Sequence, residues 1–168
     1  LVDERIDLAI RTSNDLDPNL IARRLTVCRS VMAAAPAYLR EHPAPRRIED
    51  LSLHNCLTHS YFGKNLWHFE LDGEQVAMPV QGNISANEAS TLLRATLAGA
   101  GVAMLPTYQA GGYIHSGELV RLLPRAEPRQ MNVYAVYASR KHMPSALRCL
   151  LDFLVVRFPE KPAWDIGL

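Results

Sequence analysis

The stretch from Ser85 to Pro106 constrains the fold more than any other part of this sequence. Ser85-Ala86-Asn87-Glu88 has the form of a capping box, a glutamate three residues after a serine. Behind it Ala89, Leu92, Leu93, Thr96 and Leu97 recur at helical spacing on one face. Gly99 and Gly101 close that helix. Val102-Ala103-Met104-Leu105 then reads as a short, wholly apolar strand, stopped by Pro106. A helix that feeds such a strand belongs to an α/β architecture.

The rest of the chain keeps the same alternation. Ile6–Ile10 is a β-prone run, followed by a polar loop from Arg11 to Asn19. Leu20–Leu25 and the apolar Val31–Ala35 come next. Pro36 opens a short helix through Arg40, and Pro43 and Pro45 end it. Ile48–Leu51 reads as one helical turn, and Cys56–His59 as a buried strand. Trp67–Leu71, Asp72-Gly73 and Glu74–Val80 form the strongest hairpin signal, strand, turn and strand. Residues 108–114 are weakly helical, with Gly111-Gly112 against them. Met131–Ala138 is β-rich. Pro144 opens a last helix with an apolar stripe of Leu147, Leu150, Leu151, Leu154, Val155 and Phe158. The tail after Lys161 reads as loosely held, and Leu1–Arg5 as the end of a helix that begins upstream.

Composition removes several classes of function. The 168 residues carry 18 basic and 17 acidic side chains, a net charge of +1, which is a poor footprint for a nucleic-acid-binding surface. With 48% hydrophobic and 21% charged residues the chain is neither disordered nor membrane-spanning in character. Cys28, Cys56 and Cys149 are odd in number and widely separated, which argues for reduced thiols and a cytoplasmic location. Catalytic motifs are missing. His115-Ser116-Gly117 is only superficially like a nucleophile elbow. Gly99-Ala100-Gly101 follows a helix instead of opening one, and Met104 stands where a dinucleotide loop needs its third glycine. The histidines do not fall at metal-ligand spacing, and Lys64 has nothing that marks it as a Schiff-base lysine.

A set of segments in fixed order carries a family resemblance: Ile6–Arg11, Leu20–Leu25, Ala35–Leu39, Asp50-Leu51 with His54 and Cys56, Trp67, Asn87-Glu88-Ala89, Ala98–Ala103, Leu105-Pro106, Gly117–Val120, Leu123-Pro124 and Arg140–Leu154. Over roughly residues 1–158 the chain resembles the effector-binding domain of LysR-type transcription regulators. The resemblance implies an α/β fold like that of a type 2 periplasmic binding protein, two lobes with the first lobe incomplete. The partial first lobe would be residues 1–25 and 133–158, the second lobe 26–132, and 159–168 a C-terminal tail. It further implies a small-molecule effector held between the lobes; Arg11 and the helix N-terminus at Ser85–Glu88 point to an organic anion or aromatic acid, and the missing motifs to no cofactor and no enzymatic activity. The resemblance also implies a homo-oligomer, a dimer that becomes a tetramer at full length, with DNA contacted only through an N-terminal domain absent from this sequence and no membrane contact. The exposed edge of strand 6–10 predicts that the chain either dimerises or is disordered in its first lobe. A solute-binding protein of a transport system is the alternative reading, and an enzyme on the same fold a third.

Strand ends and helix N-termini are where such lobes take ligands. Arg11 and Thr12 follow the first strand; Arg11 either holds a carboxylate in a bidentate pair or makes an ion pair with Asp7, Asp15 or Asp17. His59, Ser60, Tyr61 and Phe62 follow the buried strand. Ser60 and Tyr61 offer hydroxyls to a pocket, Phe62 is expected to pack on the hairpin, and His59 is either a titrating group or a hydrogen-bonded structural one. Ser85 is expected to cap its helix, with Asn87 facing the ligand. Pro106 and Thr107 end the strand after the glycine pair, a second strand end expected to face the crevice. The arginine pairs Arg23-Arg24 and Arg46-Arg47 read as solvated surface.

Overall fold

The computed structural model describes residues 6–18, 20–137, 143–159 and 162–167. The readings made for Leu1–Arg5, Asn19 and residues 138–142 lie outside them. The chain divides into two compact units, one of Leu1–Cys28 with Gln130–Ile166 and one of Arg29–Arg129 with Gly167–Leu168.

In the first unit β1 (Leu8–Ser13), β2 (Ile21–Cys28) and β11 (Met131–Tyr137) form an antiparallel sheet in the order β1-β11-β2. β1 runs further than its composition suggested. Arg11, Thr12 and Ser13 pair with Tyr134, Val133 and Asn132, so they lie in the strand and not in the loop after it. Asn14 extends the match, its side-chain oxygen accepting the Asn132 amide at 3.0 Å. A bulge between Val133 and Tyr134 offsets the other edge, where Tyr134 faces Arg24. Helix α4 (Ser145–Arg157) covers one face of the sheet. Leu25, Ala135, Tyr137 and Leu151 are buried there, with Leu8, Ile21, Leu147, Leu154, Val155 and Phe158 packed around them. A fully buried aliphatic side chain such as Leu151 contributes about 1.5–3 kcal/mol, and the half-buried ones less.

Two readings of this unit need correction. Leu150 is not in the packed stripe of α4; it is 44% exposed, and Phe153 and Val156 share its solvent side. The tail is not loose. Pro162 is fully buried, Trp164 meets Phe158 edge-on with ring centroids 6.4 Å apart, and the Thr26 hydroxyl donates to the Pro159 carbonyl at 2.8 Å.

The second unit is built on a five-stranded sheet in the order β7-β4-β8-β3-β9. Its strands are β3 (Ser30–Ala34), β4 (Cys56–His59), β7 (Ser85–Ala86), β8 (Val102–Pro106) and β9 (Val120–Leu122). β7, β4 and β8 are parallel, and β3 is antiparallel to β8 and β9. Both faces are covered, which is why the central strands carry almost no polar residues. On one side Met32, Ala34, Cys56 and Val102 pack with Trp67 and Phe69 of the hairpin β5 (Leu66–Leu71) and β6 (Glu74–Pro79). On the other Val31, Ala33, Leu57, Ala103 and Leu105 pack with Leu92 and Leu93 of α2 (Ala89–Leu97) and Ala110 of α3 (Thr107–Ser116). The short strand β10 (Glu127–Pro128) completes the hairpin sheet beside β5, and α1 (Pro36–Glu41) and a 3-10 turn (Ile48–Leu53) fill the connection from β3 to β4.

The hairpin turn is Asp72-Gly73, at φ 52° and 84°. Both residues are left-handed, as the type I′ turn requires. Leu123 is also left-handed, at φ 45°, and directly precedes Pro124. For a bulky residue this conformation costs on the order of 1–2 kcal/mol, which the turn closed by the Ala126 amide on the Leu123 carbonyl at 2.9 Å helps to hold.

Candidate functional site

Three parallel strands end at one edge of the second unit. The registers Cys56↔Val102 and Leu57↔Ala103 set β4 level with β8, and His59↔Ala86 sets it level with β7. His59, Ala86 and Pro106 therefore finish on the same side, and α2 and α3 both start there. Neither helix has a side-chain cap, and neither has an acidic residue in its first turn. The aligned peptide dipoles and N-terminal amides of both helices thus present partial positive charge at this edge. Glu88, the N-cap of α2, is the one carboxylate at that terminus, and its oxygen accepts the Ser90 hydroxyl at 3.3 Å.

The start of α2 corrects a sequence expectation. Ser85 does not cap the helix. It lies in β7 opposite Thr58, and the helix begins only at Ala89. A parallel partner for Ser85 and Ala86 satisfies their backbone through β4, where the Thr58 amide donates to the Ile84 carbonyl at 3.0 Å and the Ser60 amide to the Ala86 carbonyl at 2.9 Å. The capping motif loses to this non-local pairing.

The loop after β4 is organised by His59. The Tyr61 amide donates to its Nδ1 at 3.2 Å, so that nitrogen carries no proton and the neutral ring bears it on Nε2. Burial pushes the imidazole below its ordinary range, and a hydrogen bond with the Asn87 backbone offsets part of that. The Phe62 ring lies 4.9 Å from the imidazole and the Tyr61 ring 6.1 Å. Tyr61 is 76% exposed and Phe62 47%, so Phe62 leans on His59 with half its surface in solvent. His59, Ser60, Tyr61 and Asn87 are in this way gathered into one cluster. Pro106 is the N-cap of α3, and Thr107 is buried with its hydroxyl donating to the Arg29 carbonyl at 3.2 Å, tying the start of α3 to the start of β3.

Arg11 and Thr12 belong to the other unit. Strand alternation puts Arg11 on the face opposite Ile10 and Thr12, which point to the side that α4 covers. Among the described residues the Arg11 guanidinium makes no ion pair with Asp7, Asp15 or Asp17.

At its other end β4 is held by a residue that the sequence did not mark. Asn55 donates through Nδ2 to Asn83 Oδ1 at 2.8 Å and to the Ala100 carbonyl at 2.7 Å, and its Oδ1 accepts the Asn83 amide at 2.9 Å. Its own amide donates to the Tyr38 hydroxyl at 3.1 Å, its carbonyl accepts the Val102 amide at 2.9 Å, and the Tyr38 hydroxyl shares a hydrogen bond with Nδ1 of buried His54 at 3.1 Å. Two glycines make this approach possible: a β-carbon at Gly101 would collide with the Asn55 carbonyl, and one at Gly82 with the Cys56 carbonyl. Among the described residues no group of three or more His, Cys, Asp or Glu side chains could hold a metal ion, and no helix is long and apolar enough to cross a membrane.

Known proteins resemble this chain in sequence and fold. The family described as LysR substrate binding domain matches residues 1–159. The transcriptional regulator DmlR of Escherichia coli is 33% identical over 165 residues, covering 95% of this chain and 52% of DmlR. The regulator PtxR of Pseudomonas aeruginosa is 33% identical over 163 residues, covering 96% of this chain and 52% of PtxR. The regulatory domain of CrgA, a LysR-type transcriptional regulator from Neisseria meningitidis, superposes with a TM-score of 0.82 at 30% identity, covering 95% of this chain and 78% of that domain. The chain spans about half the length of the curated relatives it matches.

Proposed function

The chain belongs to the LysR substrate-binding-domain family, and from that premise we propose that it is the effector-sensing domain of a transcription regulator, responding to a small organic anion. One observation carries the anion: two helix N-termini without side-chain caps or first-turn acids open beside three parallel strand ends. Ser60 and Tyr61 supply hydroxyls and an exposed aromatic surface at the same edge, and Asn87 supplies an amide. His59 is assigned a positioning role, because its neutral ring is already bonded to the loop it organises. Pro106 and Thr107 fix the start of α3. Arg11 is carried as a separate candidate for a carboxylate, because its guanidinium has no ion pair among the described residues, together with its neighbour Thr12. In the intact regulator the effector shifts the balance between conformations by its difference in affinity for them. Oligomer formation, a cytoplasmic location and DNA contact through a separate domain follow as proposals from the relatives' designation as transcriptional regulators.

A melting screen of the full-length protein against organic acids, phenols and amino acids tests this reading. A ligand at 100 times its Kd adds about 2.7 kcal/mol, a rise of roughly 5–10 °C for a domain of this size. The expected result is a rise confined to anions and lost in Ser60→Ala with Tyr61→Phe. A rise with uncharged phenols that equals the rise with acids would remove the helix termini from the argument.

A further inference from the structure

The second unit carries a cavity of about 590 Å³ that shares no residue with the strand-end cluster. Its floor is apolar: Ile48 and Ala126 are buried, and Leu71 and Leu123 are half-buried beside them. Its rim is basic. Arg46, Arg47 and Arg125 line it against the carboxylates of Glu49 and Asp72. Arg47 is already engaged, at 3.7 Å from Glu49 and 3.9 Å from Asp50. The Arg46 and Arg125 guanidiniums have no ion pair or side-chain hydrogen bond among the described residues.

The walls are held in place by local bonds. The Asp50 carboxylate accepts the amides of Arg46 and Arg47 at 2.9 and 3.0 Å, which fixes the backbone of the basic corner. Asp72 and Leu123, the two described non-glycine residues with positive φ, both face the cavity. The Asp72 conformation is explained by its hairpin turn. Leu123 is the first residue of the turn closed by the Ala126 amide, and it lines the cavity. A volume in the range of small-molecule pockets, an apolar base and two uncommitted arginines match an amphipathic anion in shape and charge. We propose that this cavity is a second binding site, for an organic monocarboxylate with an apolar body, its carboxylate on Arg46 or Arg125 and its body on Ile48, Leu71 and Ala126. Arg46 is then a recognition element and not merely solvated surface.

The test uses 4-phenylbutyrate as the probe and uncharged 4-phenylbutyramide as its control, with amide chemical shifts of the whole chain as the readout. Saturable shifts are expected at Arg46, Ile48, Asp72 and Arg125. The Arg46→Gln, Arg125→Gln double variant is expected to raise Kd at least tenfold, about 1.4 kcal/mol, and the amide to bind at least tenfold more weakly. Tyr61→Ala is expected to leave that Kd unchanged. Absence of saturable shifts up to about 10 mM probe, ten times a millimolar Kd, overturns the proposal. So does equal affinity of the double variant or of the amide. Shifts lost in Tyr61→Ala but kept in the arginine variant assign the probe to the strand-end cluster and overturn it as well.

Discussion

Replacing Asn55 with alanine isolates what holds the central parallel strand at its entry. The substitution removes three side-chain hydrogen bonds: two with Asn83, at 2.8 and 2.9 Å, and one to the Ala100 carbonyl, at 2.7 Å. A hydrogen bond is worth about 1 kcal/mol net. The two bonds to Asn83 are solvent-exposed, so water replaces part of them, while the Ala100 carbonyl is part-buried and keeps most of its cost. The expected loss is about 2 kcal/mol, or roughly 4–8 °C in Tm for a chain of this length. Urea unfolding followed by Trp67 fluorescence, in a Trp164→Phe background, reads it directly, because Trp67 is buried in the same unit. The midpoint should fall with the slope m unchanged. Combining Asn55→Ala with Asn83→Ala should give a coupling energy of about 0.5–1 kcal/mol in the double-mutant cycle. A loss below about 0.5 kcal/mol, the ordinary range of a surface substitution, would refute the view that Asn55 organises this end of the sheet.

Gly101→Ala should destabilise by about 2–3 kcal/mol through overpacking against the Asn55 carbonyl and the Leu57 side chain, measured in the same urea assay; an unaltered midpoint would mean that β4 and β8 can part without cost. Alkylation by iodoacetamide near pH 8, read by intact mass and peptide mapping, should label exposed Cys149 first, because burial pushes the Cys56 thiol up to about 12 and the Cys28 thiol up to about 11; early labelling of Cys56 would contradict its burial. Burial, with His42 nearby, lowers the folded pKa of His54 below its unfolded value of 6.5. The unfolded chain therefore takes up a proton first, and stability should fall as pH drops through 6.5 and level off below the lowered folded value. His54→Asn should flatten that part of the profile between pH 7.5 and 5, whereas loss linked to Asp50, whose carboxyl is held low by the Arg46 and Arg47 amides, begins only on approach to 3.8; an unchanged profile in His54→Asn would exclude the histidine.

Much of the second unit was legible in the sequence, and what was not has a common cause. The strand Cys56–His59 was read as it stands and the helix opened by Pro36 to within one residue, because each is set by local residue types. The hairpin was read from Asp72-Gly73, whose left-handed pair only a few residue types adopt readily. The errors fall where a distant partner decides. Ser85 was taken from the helix by β4, Arg11 was drawn into the sheet by β11, and the tail was pinned by Thr26 and Phe158. Leu150 fits a helical stripe as well as Leu147 does, and periodicity alone could not tell which of them meets the sheet. At the candidate site the cluster of His59, Ser60 and Tyr61 followed from its position after an apolar strand. Asn55 gave no signal, since an asparagine between His54 and Cys56 looks like any loop residue until Asn83 and Ala100 arrive from elsewhere in the chain.

The glycines at 82 and 101 divide β4 into two ends with different tolerance for change. At the entry a single methyl group meets backbone that cannot yield, and every polar group of Asn55 is committed. At the exit Tyr61 is mostly in solvent, Phe62 is half exposed, and both rings lie beside the His59 ring. A library randomised at positions 60–62 should therefore yield mostly folded proteins with varied surfaces, and one randomised at 55, 82 and 101 should yield few. The scaffold can thus diversify the surface it presents at one end of a strand while the other end keeps the strand in register.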